Sequence, residues 1–179
     1  LIGQPESAWL EAKRGPYRLE TDLEKYEFAK DIVAMANSPG GGVIVLGLQT
    51  KKRKHEDVIE RVMPFDLSTL DVTRCRRILG ARSYPVLEGL SFRKKKIQGE
   101  LGIAYIEVPS QPDNFRPFMV WGRVSDGRVR NHYFTIPIRR GSEIEYLNPA
   151  SIHSHIVAGR AAKMAPLQDQ SAKGGSAAD

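Results

Sequence analysis

The chain holds 179 residues, 41% of them hydrophobic and 27% charged, which is the make-up of one globular domain with enough chain for its own core. No apolar run approaches the roughly 20 residues of a membrane-spanning helix, no basic-then-apolar leader opens the chain, and the single cysteine, Cys75, excludes an internal disulfide and makes a reducing, cytoplasmic setting the default. A formal net charge of +6, from 27 Lys+Arg against 21 Asp+Glu, favours an anionic partner such as nucleic acid.

The chain begins with Leu1 rather than Met, as a segment of a longer protein would. Ser7 to Ala12 is short and partly apolar and reads as an edge strand, broken by Arg14-Gly15-Pro16-Tyr17. Thr21-Asp22-Leu23-Glu24 fits a capping box, a hydroxyl followed three residues later by Glu. Behind it Leu23, Tyr26, Ala29, Val33 and Ala36 recur at helical spacing, which predicts a helix over 22–37. Asn37-Ser38-Pro39-Gly40-Gly41-Gly42 stops it. Val43 to Leu48 is a continuous β-branched and apolar run, the pattern of a central strand covered on both faces.

Gln49 to Glu56 reads as a polar, basic loop. A second helix is expected near 67–80 through Leu70, Cys75, Ile78 and Leu79, with Arg74, Arg76 and Arg77 on its other face. Two strands follow, around 87–97 and 101–108, joined at Gln98-Gly99. Pro109 to Pro117 reads as a loop, Phe118 to Val124 as a strand, Asp126-Gly127 as a turn and His132 to Arg139 as another strand. Asn148-Pro149 opens a last helix running to about Ala162. From Lys163 the composition is that of a flexible tail. The fold class is therefore α+β, a mixed, largely antiparallel sheet with packed helices, in one domain over 1–162 followed by a tail over 163–179.

Three basic clusters are the binding candidates: Lys51, Lys52, Arg53 and Lys54; Arg93, Lys94, Lys95 and Lys96; and Arg139 with Arg140. Arginine forks can hold phosphate through paired hydrogen bonds, and lysines add point charge. Trp9, Trp121, Tyr133 and Phe134 are the aromatics able to stack bases. The glycines at 40–42 follow a helix instead of preceding one, so they meet the negative end of its dipole and do not read as a phosphate loop. His153, His155 and Cys75 show no zinc-ligand spacing. Glu6 and Glu11 stand five apart, so in a regular strand they would face opposite sides; a bend near Ser7 is needed to bring their carboxylates together.

Two segments, Glu6-Ser7-Ala8-Trp9-Leu10-Glu11-Ala12-Lys13 and Ala34-Met35-Ala36-Asn37-Ser38-Pro39-Gly40-Gly41-Gly42-Val43-Ile44-Val45-Leu46-Gly47-Leu48-Gln49, resemble the Schlafen AlbA_2 family. Arg139-Arg140-Gly141-Ser142 matches its closing Arg-x-Gly-Ser pattern. The resemblance spans roughly residues 3–157. It implies the same α+β architecture and a DNA- or RNA-binding domain that often accompanies regulators. Some members are RNA endonucleases. For these the resemblance implies that Glu6 and Glu11 hold Mg²⁺ or Mn²⁺, with Lys13 stabilising the phosphate and an aspartate beyond the second strand completing the site. Gln49 stands where that aspartate belongs, and Ala12 replaces the family's Phe. The reading is thus a nucleic-acid binder, leaning away from enzyme. A metal-dependent endoribonuclease and a protein-interaction or homo-oligomerisation module are the alternatives.

Overall fold

Parallel strands need a crossover between them, and the first helix supplies it. The computed structural model describes residues 1–54, 56–158 and 160. Strand β1 (Leu10–Lys13) lies parallel to β2 (Gly42–Leu46), with Leu10 opposite Val43 and Lys13 opposite Leu46. Helix α1 (Asp22–Ala36) connects them. Its capping box forms as expected: Thr21 Oγ1 accepts from the Glu24 amide, and Glu24 Oε2 accepts from the Thr21 amide.

Gly47, at a left-handed φ of +97°, ends β2, and a hairpin of β3 (Leu48–Arg53) and β4 (Glu56–Val62) follows. A two-residue β5 (Phe65–Asp66) leads into α2 (Val72–Arg82), capped by Asp71. Then come β6 (Ser83–Tyr84), β7 (Ser91–Gln98), β8 (Leu101–Val108), β9 (Met119–Ser125), β10 (Arg128–Thr135), β11 (Pro137–Arg140) and β12 (Glu143–Tyr146). Residues 149–158 are helical, starting at the expected proline. The segment read as a tail, 163–179, and the end of the last helix lie outside the described residues.

In the main sheet β8 runs antiparallel to β2 and, farther along, to β5, while β7 pairs with its other side as an edge. A second sheet holds β10, β9 and β6 in that order. Helix α1 packs against strands of both sheets, which is why nine of its fifteen residues are buried. The architecture is α+β, with a mixed and largely antiparallel set of strands.

The structure corrects two expectations. The basic stretch after β2 is half of a hairpin and not a loop. Leu48 and Ile59 bury themselves, and residues near the N-terminus pair with β4: the Gly3 amide donates to Ile59 O, the Ile59 amide to Gln4 O, and the Glu6 amide to Asp57 O. Those backbone partners lie over fifty residues away, where local polarity gives no hint of them. The expected strand over 132–139 is divided at Ile136 into β10 and β11, which pair in different sheets.

The helices cover one face of the main sheet with a core that includes Phe28, Ile32, Ile44, Leu46 and Ile106. On the opposite face Leu10, Ala12 and Val45 meet Leu48 and Ile59 of the hairpin, with Tyr105 packed alongside. Tyr105 is directly opposite Arg93, and Ile103 opposite Lys95. Cross-strand partners share a face, so Arg93 and Lys95 stand on the hairpin side of the sheet.

Candidate nucleic-acid interface

The bend needed near Ser7 exists. Ser7 and Leu10 exchange backbone hydrogen bonds of 3.0 and 3.4 Å, and the turn folds Glu6 back so that its Oε1 accepts from the Ala12 amide at 2.9 Å. Glu6 and Glu11 thereby approach one another. Burial first, and then the charge of Glu11, raises the Glu6 carboxyl above its ordinary 4.5.

Glu11 is itself enclosed by cations. Lys13 Nζ lies 2.7 Å from Oε1, and Arg139 Nη1 bonds Oε2. Lys13 also lies 3.0 Å from Oδ2 of the buried Asp31, which accepts from the Tyr17 hydroxyl at 2.7 Å. Burial works against the Lys13 ammonium, but Asp31 and Glu11 outweigh it and raise its pKa above the usual lysine range. Burial, followed by the charge of Asp31, pushes the Tyr17 hydroxyl well above the usual tyrosine value. Asp31, on α1, is the member of this cluster that sequence reading missed. A carboxylate three residues after Phe28 and four before Met35, among the apolar positions of α1, was the available signal.

A hard divalent cation needs carboxylate oxygens free to face it. Here both oxygens of Glu11 are held by basic side chains, and one of Glu6 by a backbone amide. Gln49 Oε1 accepts from Arg61 Nε and Nη2 at 3.3 and 3.0 Å. Among the described residues no three His, Cys, Asp or Glu side chains converge as a metal ion requires. The roles that the resemblance implies, Glu6 and Glu11 as ligands for Mg²⁺ or Mn²⁺ with Lys13 as their catalytic partner, do not fit this donor set.

The basic clusters divide into surface and interior. Lys51, Lys52, Arg53 and Lys54 are all exposed on the β3–β4 hairpin. Asp57 and Glu56 stand opposite Lys52 and Arg53, yet the only ion pair there is Lys51 to Glu60 at 3.7 Å, among the described residues. On β7, Arg93 lies 3.4 Å from Glu107 and Lys96 2.5 Å from Glu100. Lys95 makes no ion pair among the described residues. Lys94 reaches back on the helix side, where its Nζ donates to Leu67 O and Leu70 O at 2.7 and 2.8 Å.

Arg139, expected to contact nucleic acid, is instead an interior residue, 5% exposed. Its guanidinium bonds Glu11, Ser7 O and Leu10 O, which ties β11 to the turn before β1. The alternation of β11 is the cause: Pro137 and Arg139 face inward, and the neighbouring Arg140 faces out, 3.1 Å from Glu145. Of the four aromatics, Trp9, Trp121, Tyr133 and Phe134 are all about half exposed. The last three lie together on the β9–β10 hairpin, away from Trp9.

Among the described residues no helix is long and apolar enough to cross a membrane. The family model described as "Schlafen, AlbA_2" matches residues 6–148. No curated protein matches the sequence. Among solved structures, the DIP2311 protein from Corynebacterium diphtheriae is similar at 16% identity, with a TM-score of 0.46. That match covers 82% of this chain and 23% of the other, so the chain spans about a quarter of that protein's length.

Proposed function

The chain belongs to the Schlafen AlbA_2 family, and from that premise we propose that it binds nucleic acid through sequence-independent contacts to phosphate. One observation carries the reading. Two basic segments far apart in sequence belong to the same side of the main sheet: Lys51–Lys54 on the hairpin packed there, and Arg93 with Lys95 on the β7 face that shares Tyr105 with it. Clustered surface cations attract a phosphate backbone and release its counterions. Surface ion pairs such as Lys51–Glu60 and Arg93–Glu107 contribute little and open readily to a stronger anion.

Fluorescence anisotropy with labelled duplex DNA and structured RNA tests the reading. The logarithm of affinity falls with the logarithm of salt, with a slope of about −0.9 per neutralised phosphate on duplex DNA. Joint replacement Lys52→Gln, Arg53→Gln and Lys54→Gln weakens binding to every sequence alike and flattens the slope by roughly one for each phosphate that is no longer neutralised. No binding at low salt, or slopes identical in parent and variant, would overturn it. The same samples with Mn²⁺, with and without EDTA, are expected to leave the nucleic acid intact, because cations enclose Glu11. Fragments that vanish with EDTA and in Glu11→Gln would restore the nuclease reading.

A further inference from the structure

The β9–β10 hairpin carries a cationic surface that the clusters above leave unexplained. Along β9, Trp121, Arg123 and Ser125 alternate and so share one face. Their register partners in β10 are Phe134, Arg130 and Arg128. Arg123 and Arg130 are thus directly opposite, and like charges at such positions destabilise a strand pair. Among the described residues, Arg123, Arg128 and Arg130 take no part in any ion pair. The hairpin's one carboxylate, Asp126, sits in the turn beside Ser125.

Between Arg130 and Phe134 the register slips, and His132 and Tyr133 fall in that bulge with ring centroids 4.4 Å apart. A depression of ≈ 340 Å³ is lined by Arg123, Ser125, Arg130, His132 and Tyr133, with no acidic residue in its wall. Trp121, Tyr133 and Phe134 are 51%, 49% and 51% exposed. The other side of β9 is occupied: Gly122 backs onto the Tyr26 ring and Val129. The outward side therefore combines repelling arginines, none of them ion-paired among the described residues, with three half-exposed aromatic rings.

We propose that this face is a subsite selective for single-stranded nucleic acid. Bases stack on Trp121, Tyr133 and Phe134, while phosphates settle on Arg123, Arg128 and Arg130 and relieve their repulsion. A duplex keeps its bases stacked on one another and offers the rings nothing, whereas every unpaired base has a face to give. The inference rests on the nucleic-acid reading above and adds to it which form of nucleic acid the domain prefers.

Two tryptophans are present, so Trp9→Phe leaves Trp121 as the one intrinsic reporter. That chain is titrated with fluorescein-labelled oligothymidylate and, separately, with a labelled short duplex, reading tryptophan fluorescence and dye anisotropy. Oligothymidylate quenches Trp121 and the duplex does not. In the natural background, Tyr133→Ala with Phe134→Ala, and separately Arg123→Gln with Arg130→Gln, each weaken oligothymidylate binding by about tenfold or more. Duplex affinity stays put, and so does the melting temperature of these exposed-site variants. Unquenched Trp121, or oligothymidylate affinity equal in parent and variants while the Lys52/Arg53/Lys54 variant still loses duplex, overturns the subsite and leaves the function standing. Failure of both nucleic acids to bind at low salt overturns the function and the subsite with it.

Discussion

At the scale of single residues, Glu11 is the side chain whose role the folded structure changes most. The family resemblance makes it a metal ligand, and the protein instead pairs it with Lys13 and Arg139. Removing Arg139 leaves a buried carboxylate half neutralised and frees the carbonyls of Ser7 and Leu10. Arg139→Gln is expected to cost about 3 kcal/mol in urea unfolding, with nucleic-acid affinity unchanged in the folded fraction. A loss of affinity at full stability would return Arg139 to the binding surface. Glu6 gives the opposite sign. Between 4.5 and its raised folded value, the folded chain keeps a proton that the unfolded chain has released. Stability from this group therefore falls as pH rises through that window and stays lowered above it. Glu6→Gln keeps an acceptor for the Ala12 amide, so its melting temperature should exceed the parent's at neutral pH, with the gap closing below pH 4.5. A parent more stable than the variant at neutral pH contradicts the sign.

Among the elements, the segment that ends α1 does more than turn the chain. Asn37 is buried, and its Nδ2 donates to Phe118 O and Pro137 O at 2.9 and 2.8 Å while its Oδ1 accepts from the Phe118 amide at 2.8 Å. One side chain thus joins the end of α1 to the starts of β9 and β11. Asn37→Ala orphans three buried backbone groups and should lower stability by roughly 2 to 4 kcal/mol, read from denaturant midpoints. A change below about 1 kcal/mol would show that water replaces the amide. The glycines beyond it allow close packing: a Cβ on Gly41, which has a φ of +67°, would stand 2.1 Å from Val108 O.

Helix α1, the central strand β2 and the β7–β8 pair were legible because each writes its period or its caps locally. Strands β5, β6 and β12 were not, since runs of two to four residues carry no period. The tie from Arg139 to Glu11 was not legible: Arg139 was read with the binding clusters, and whether it faces inward or outward depends on the register of β11.

For the whole molecule, the two cores are unequal. The helix-side core draws on both helices and several strands, while the hairpin is held by Leu48 and Ile59 against Leu10, Ala12 and Val45. The hairpin should therefore open separately, with hydrogen exchange faster in β3 and β4 than in α1 and β8. Ile59→Ala should cost roughly 2 to 5 kcal/mol and bring hairpin exchange close to that of an unprotected strand. Uniform exchange across both faces would show a single cooperative unit.

The bond between Arg139 and Glu11 also joins residues 128 positions apart. Proteins are made from the N-terminus, so β1 leaves the ribosome long before its guanidinium partner exists. Until β11 arrives, the nascent domain carries a charged seam beside its first strand, open to water and to chaperones. Release of a chain cut short before that point would yield a body with most of its strands and an unclosed edge, a natural mark for quality control.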